Sequence, residues 1–133
     1  MIINKLKDLL RASDLPLDKV LVGDLDTRGV FSYRIPSEFV KRDDFTLLLL
    51  DEIRNTPDEY AGDHARKLRQ RFQIQVWYKK GVDVDKFEWQ LNRLMEENHW
   101  FPIDNLGHDL DEETSQLKIT LRYEGLSDGS SFI

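Results

Sequence analysis

The stretch RFQIQVWY, Arg71 to Tyr78, decides how this chain is read. Phe72, Ile74, Val76 and Tyr78 alternate with Arg71, Gln73, Gln75 and Trp77, the period of two that a strand with one buried face requires. Lys79-Lys80-Gly81 marks its end, and the period then changes. Val84, Phe87, Leu91, Leu94, Met95 and Asn98 fall on one helical stripe, so a helix is predicted from near Asp83 or Asp85. Eight strand residues span roughly 26 Å and sixteen helical residues roughly 24 Å. The helix is therefore long enough to return over the apolar face of the strand that precedes it.

Upstream of this unit, FTLLLL (Phe45 to Leu50) is apolar on both faces, which fits a central strand covered on two sides. Asn55 to Arg66 is polar, with Pro57 and Gly62, and reads as a long exposed loop. Downstream, Leu117, Ile119, Leu121 and Tyr123 alternate with Lys118, Thr120, Arg122 and Glu124, a second strand with one polar face. His99 to Leu106 (HWFPIDNL) carries Pro102, which places it at an edge or beside a bulge. The two stretches are expected to pair as a hairpin across the acidic connection Gly107 to Gln116.

At the start of the chain, Ile2, Ile3, Leu6, Leu9 and Leu10 predict an amphipathic helix over residues 2 to 12, ended by Ser13-Asp14 and Pro16. Val20 to Val22 reads as a strand or a turn flank, Thr27-Arg28-Gly29 as turn chemistry, and Val30 to Ile35 as a strand stopped by Pro36. The pattern is α+β: a mostly antiparallel sheet of four to five strands with two helices packed on one face. One domain is expected over residues 1–124, with 125–133 (GLSDGSSFI) as a flexible tail.

Composition excludes several function classes. The 133 residues contain no cysteine, so disulfides, thiolate chemistry and cysteine zinc sites are absent. No apolar run approaches membrane length, and the N-terminus lacks a signal core, so a soluble, non-exported protein is expected. A net charge of -6 argues against binding driven by nucleic-acid phosphates. Lys67, Arg69, Arg71, Lys79 and Lys80 border the main strand, where lysine and arginine commonly prevent edge pairing.

Chemistry-bearing motifs are sparse. His108, Asp109, Asp111, Glu112 and Glu113 form the densest donor set, but without the register of a calcium loop, and they read as a solvated hairpin loop. Asp63, His64 and His99 complete a metal site only if the fold gathers them. The serines sit in no nucleophile elbow, and there is no phosphate-cradling glycine loop. No catalytic residue, metal ligand or cofactor site is assigned.

Trp89 lies about 140° around the helix from Val84, away from the apolar stripe. Two accounts fit. With Asp85 as N-cap, Val84 and Trp89 occupy the positions of a hydrophobic staple; otherwise an outward Trp89, with Trp77 on the polar side of the strand, anchors a protein interface. Gln73, Gln75, Trp77, Trp89, Lys118 and Arg122 are the interface candidates.

The strand QIQVWYKK, the helix DKFEWQLNRLMEENHW, the Asp-rich connection and the closing strand LKITLRYE together resemble the small tail-component proteins of long-tailed bacteriophages and prophages. FTLLLLDEI followed by a polar loop is similar too, so the likeness covers roughly residues 40–124. It implies a tail-completion or tail-terminator role: a ring of subunits, six by family analogy, that caps the tail tube and faces the head-side connector. Its implied partners are sister copies, the tail tube protein and a head-completion protein. Its implied location is the virion tail, and the host bacterial cytoplasm during assembly. No membrane or specific nucleic acid is implied, genome DNA only passing through the ring. An intracellular protein-binding adaptor using Trp77, Trp89 and the groove beside them stands as the alternative. A metal-dependent hydrolase using His108, Asp109 and Asp111 is a third.

Overall fold

A computed structural model describes residues 2–22, 25–36, 39, 44–61 and 64–128. The elements, in chain order, are α1 (Ile2–Arg11), β1 (Lys19–Val22), β2 (Leu25–Arg28), β3 (Val30–Ser32), β4 (Leu47–Ala61), β5 (His64–Tyr78), α2 (Val84–Glu97), β6 (Phe101–Leu110) and β7 (Leu117–Asp128). β1 and β2 form a small antiparallel hairpin of their own. The other five strands make one sheet in the order β3-β4-β5-β7-β6, antiparallel except for the parallel β3–β4 pair. The α+β class with two helices is as the residue pattern predicts.

Alternation along β5 and β7 builds the main core. Phe72, Ile74, Val76, Tyr78, Ile119, Leu121 and Tyr123 point to one face, where Phe87, Leu91 and Met95 of α2 and Ile3, Leu6 and Leu10 of α1 cover them. The tetraleucine run of β4 serves both faces. Leu48 and Leu50 enter this core, while Leu47 and Leu49 join Phe31 and Phe39 in a second cluster on the opposite side.

α1 is fixed at its C-terminal end by cations. Arg11 donates to the Val30 carbonyl on β3 at 2.7 Å, and the Arg28 guanidinium donates to the carbonyls of Arg11, Ser13, Leu15 and Leu17. Helix-end and loop carbonyls that lack partners are satisfied in this way. Burial pulls the Arg11 pKa down against the nearby Asp8 carboxylate, although it stays far above neutrality.

The α2 cap lies two residues earlier than the staple account requires. Asp83 is the N-cap, its Oδ1 accepting from the Lys86 N–H at 3.2 Å. The staple positions flanking that cap are therefore Val82 and Phe87. Phe87 is buried against Tyr78, ring to ring at 5.3 Å, and Val82 packs on the same core. Trp89 is left 67% exposed, which overturns the Val84–Trp89 staple. The helix ends in a Schellman motif: His99 N–H donates to the Glu96 carbonyl and Trp100 N–H to the Met95 carbonyl, with His99 at φ 65.

Several boundaries differ from the residue-level expectations: β3 stops at Ser32, short of Ile35, and β6 runs on to Leu110, into the expected Gly107 to Gln116 connection. Residues 55–61 and 64–66, expected as loop, are strand: β4 and β5 pair from Leu47↔Trp77 out to Ala61↔His64, past a bulge between Glu52 and Arg54. Backbone pairing needs no apolar alternation, and Pro57 is tolerated because, among the described residues, β3 flanks β4 only at Leu48 to Leu50, leaving an edge beyond. β7 also runs past Glu124, pairing Gly125–Asp128 with Lys67–Gln70, so those four residues are not a loose tail; 129–133 lie outside the described residues. Thr27 and Arg28, read as turn chemistry, belong to β2 (Leu25–Arg28), which completes the β1–β2 hairpin.

Candidate interaction site

The polar face of β5 and β7 gathers five of the six interface candidates. Direct partners in the ladder share a face, and the register sets Gln73 opposite Arg122, Gln75 opposite Thr120 and Trp77 opposite Lys118. Arg122 Nε donates to Gln73 Oε1 at 3.2 Å, and Gln75 Nε2 donates to Thr120 Oγ1 at 3.5 Å. Lys118 Nζ stands 5.8 Å from the centre of the Trp77 ring, a cation–π pair. All five side chains are half-buried in the isolated chain.

Trp77 is held at both ends. Its Nε1–H donates to Asp111 Oδ2 at 2.9 Å, while the other Asp111 oxygen accepts from the N–H groups of Glu113 and Thr114 at 2.9 and 3.1 Å. Burial opposes ionisation of Asp111. The hydrogen bonds from Thr114, Trp77 and Glu113, with Lys118 close by, outweigh it and hold the carboxyl below the usual range. This node ties the β6–β7 connection to the sheet face, so part of the acidic loop is ordered.

The sixth candidate, Trp89, stands elsewhere. It lies on the outer side of α2, beside Asn92, Arg93, Glu96 and Glu97, while Trp77 lies on the other side of the sheet. The two tryptophans do not line a common groove. α2 carries its own polar contacts: Tyr123 Oη donates to Asn92 Oδ1, and His108 Nε2 lies 2.7 Å from Glu88 Oε1. Burial raises the Tyr78 and Tyr123 phenol pKa values well beyond their ordinary value, and Glu88 adds to both, with Glu96 acting on Tyr123.

The donor set expected around His108 is dispersed. His108 faces Glu88, Asp109 Oδ1 accepts from the Leu110 N–H, and Asp111 serves Trp77. His99 sits at the end of α2, exposed. Among the described residues, no three His, Asp or Glu side chains come together to hold a metal ion. No helix among them is long and apolar enough to cross a membrane.

A feature the residue pattern did not single out is β6. All ten of its residues are exposed, and Phe101, Ile103, Leu106 and Leu110 leave 54%, 43%, 54% and 62% of their surface in solvent. β6 is the outermost strand, irregular at Pro102/Asp104 and at Asn105/His108. Pro102 signals the edge. The exposure itself is not readable, because apolar residues without periodicity normally imply burial.

The family described as "Protein of unknown function (DUF806)" has a sequence profile that matches residues 9–125. The chain belongs to that family. The DUF806 match takes in every strand and helix described above except most of α1 and the last residues of β7. It therefore covers the polar face, the Trp77 node and the β6 edge. Comparison with curated proteins finds no significant match.

Proposed function

We propose that this DUF806 protein is a structural subunit of a bacteriophage or prophage tail, closing the tail tube as a ring of copies and joining it to the head-side connector. The observation that carries the reading is the open-edged sheet. One face is sealed by two helices, the other is a hydrogen-bonded polar surface over β5 and β7, and the outermost strand β6 exposes apolar side chains along its whole length. A subunit whose apolar edge is covered by neighbours has this form. The resemblance of the β5, α2 and β7 sequences to tail-completion proteins supplies the context, with six copies by that analogy. The role requires no catalysis and no cofactor. A net charge of -6 suits a passage through which DNA slides without being held.

The test adds purified protein to polymerising tail tube protein and images the tube ends by electron microscopy. Tubes capped and limited in length are expected; uncapped tubes of unlimited length refute the role. A second reading, a protein-binding adaptor, draws on the exposed Trp89 alone. Under it, Trp89→Ala abolishes partner binding and leaves tube capping without effect in either form.

A further inference from the structure

We propose that the cavity beside Trp77 is a socket for an arginine side chain presented by a partner protein. The inference stands apart from the ring reading and does not depend on it.

Two parts of the fold build the socket. Ile35, Phe39, Leu47 and Trp77 give it apolar walls, and the turn between β6 and β7 adds the carboxylates of Asp111 and Glu113. The cavity measures about 220 Å³, below the roughly 300–1,000 Å³ that drug-sized ligands occupy. One side chain is the matching scale. Gln116, which also lines it, donates from its amide to the Phe45 and Tyr78 carbonyls at 3.0 and 3.4 Å and so ties the turn to the strand ends. The walls are therefore in place before any ligand arrives, which lowers the cost of binding.

Register shows which side of the indole is open. In the ladder Trp77 stands between Leu47 of β4 and Lys118 of β7. Leu47 lines the cavity, whereas Lys118, with its Nζ 5.8 Å from the ring centre, does not. The lysine thus serves the β7 side of Trp77, and the cavity lies on the β4 side. None of the described residues that line it is basic.

The chemistry of this lining selects a guanidinium. The Trp77 ring is pinned by its Nε1–H bond to Asp111 at 2.9 Å, so its π surface is presented in a fixed orientation to a stacking cation. Asp111 spends three of about four acceptor positions on Trp77, Glu113 and Thr114, which leaves one. Those bonds, with Lys118 close by, keep its carboxyl below the usual range and hence charged at neutral pH. Glu113 is exposed, and its carboxylate has no partner among the described residues. A neutral side chain seated here would strip water from both carboxylates without replacing its hydrogen bonds. Lysine would bring a point charge that does not stack; the planar arginine fork stacks and donates at once.

The test titrates the full chain with n-butylguanidinium, with capped arginine (N-acetyl-arginine N-methylamide) and with n-butanol as a neutral counterpart. The three indole N–H resonances are followed in nitrogen–proton correlation spectra and assigned with Trp89→Phe and Trp100→Phe. The Trp77 resonance alone is expected to move and to saturate, with a dissociation constant on the order of a few millimolar. Capped arginine should bind at least as tightly as n-butylguanidinium, and n-butanol roughly tenfold more weakly. Glu113→Gln should weaken guanidinium binding about fivefold without changing the melting temperature, Ile35→Trp should fill the cavity and abolish binding, and rising salt should weaken it. Folding of each variant is checked by circular dichroism, and Glu113→Gln decides alone where Ile35→Trp does not fold. Four results overturn the socket: no saturable shift up to about 50 mM, n-butanol binding as well as the guanidinium, equal shifts in all three tryptophans, or full affinity in Glu113→Gln. Binding of n-butylguanidinium with exclusion of capped arginine overturns the protein partner and points to a free small guanidine.

Discussion

Phe87 and Trp89 are two residues apart on α2, and the structure assigns them opposite energetic weights. Phe87 is fully buried, sits at the fourth helical position after the Asp83 cap and meets the Tyr78 ring edge-on. Truncation to alanine loses about 2 kcal/mol of transfer free energy, about 1 kcal/mol of ring–ring contact and a cavity contribution of similar size. That totals about 4 kcal/mol, within the usual range for buried phenylalanine. For a chain of this length the melting temperature should fall by roughly 15 °C. Trp89 covers only about a third of its surface, roughly 70 Å² for a side chain of its size, worth about 1.7 kcal/mol. The better helix propensity of alanine returns about 0.6 kcal/mol. Trp89→Ala should therefore cost about 1 kcal/mol. Urea unfolding followed by far-ultraviolet circular dichroism measures both variants without relying on tryptophan emission. Equal losses, or a larger loss for Trp89→Ala, would refute the Asp83 cap and the packing built on it.

Three further outcomes are expected. A Cβ on Gly125 would lie 2.7 Å from the Trp100 ring and 3.1 Å from the His99 carbonyl, so Gly125→Ala should destabilise by about 1–3 kcal/mol; most of that cost should vanish in a Trp100→Ala background, measured as a double-mutant cycle. The folded-state pKa of Asp111 is depressed, so its contribution is present above about pH 4 and is lost as pH falls through the folded value; Asp111→Asn should be less stable than the parent at neutral pH, and the difference should disappear in acid titrations. The Tyr78 phenol is raised above its ordinary value of about 10, so the unfolded chain loses that proton first and stability declines as pH climbs past it. Tyr78→Phe should flatten this alkaline limb in melting curves, and phenolate absorbance should show the parent residue titrating late.

Legibility followed the physical origin of each element. β5, β7 and α2 announce themselves because one apolar side must be buried, and that need writes a period of two or of 3.6 into the residues. The distal part of the β4–β5 hairpin and the end of β7 are held by backbone pairing, which leaves no such trace, and Pro57 and Gly62 suggested a loop instead. Trp89 was readable as facing outward, but the choice between Asp83 and Asp85 as cap was not, and that choice decides which residues form the staple. Gln73, Gln75, Trp77, Lys118 and Arg122 share a surface by alternation alone. The partner that orders Trp77, Asp111, is 34 positions away along the chain, and no local pattern reports it. The exposed row on β6 was hidden for the converse reason, since a residue pattern records apolarity and only the fold records what is left uncovered.

The order of strands also dictates how the chain comes together. β4 with β5, and β6 with β7, are each built from neighbours in sequence, whereas β5 meets β7 only after α2 and β6 have been laid down between them. Two locally closed clasps can thus form early, and the seam from Lys67↔Asp128 to Tyr78↔Leu117 closes last, because its loop-closure entropy is the largest. A nick at the exposed Gly81 turn leaves both clasps whole, so the two fragments should find each other again along that single zip.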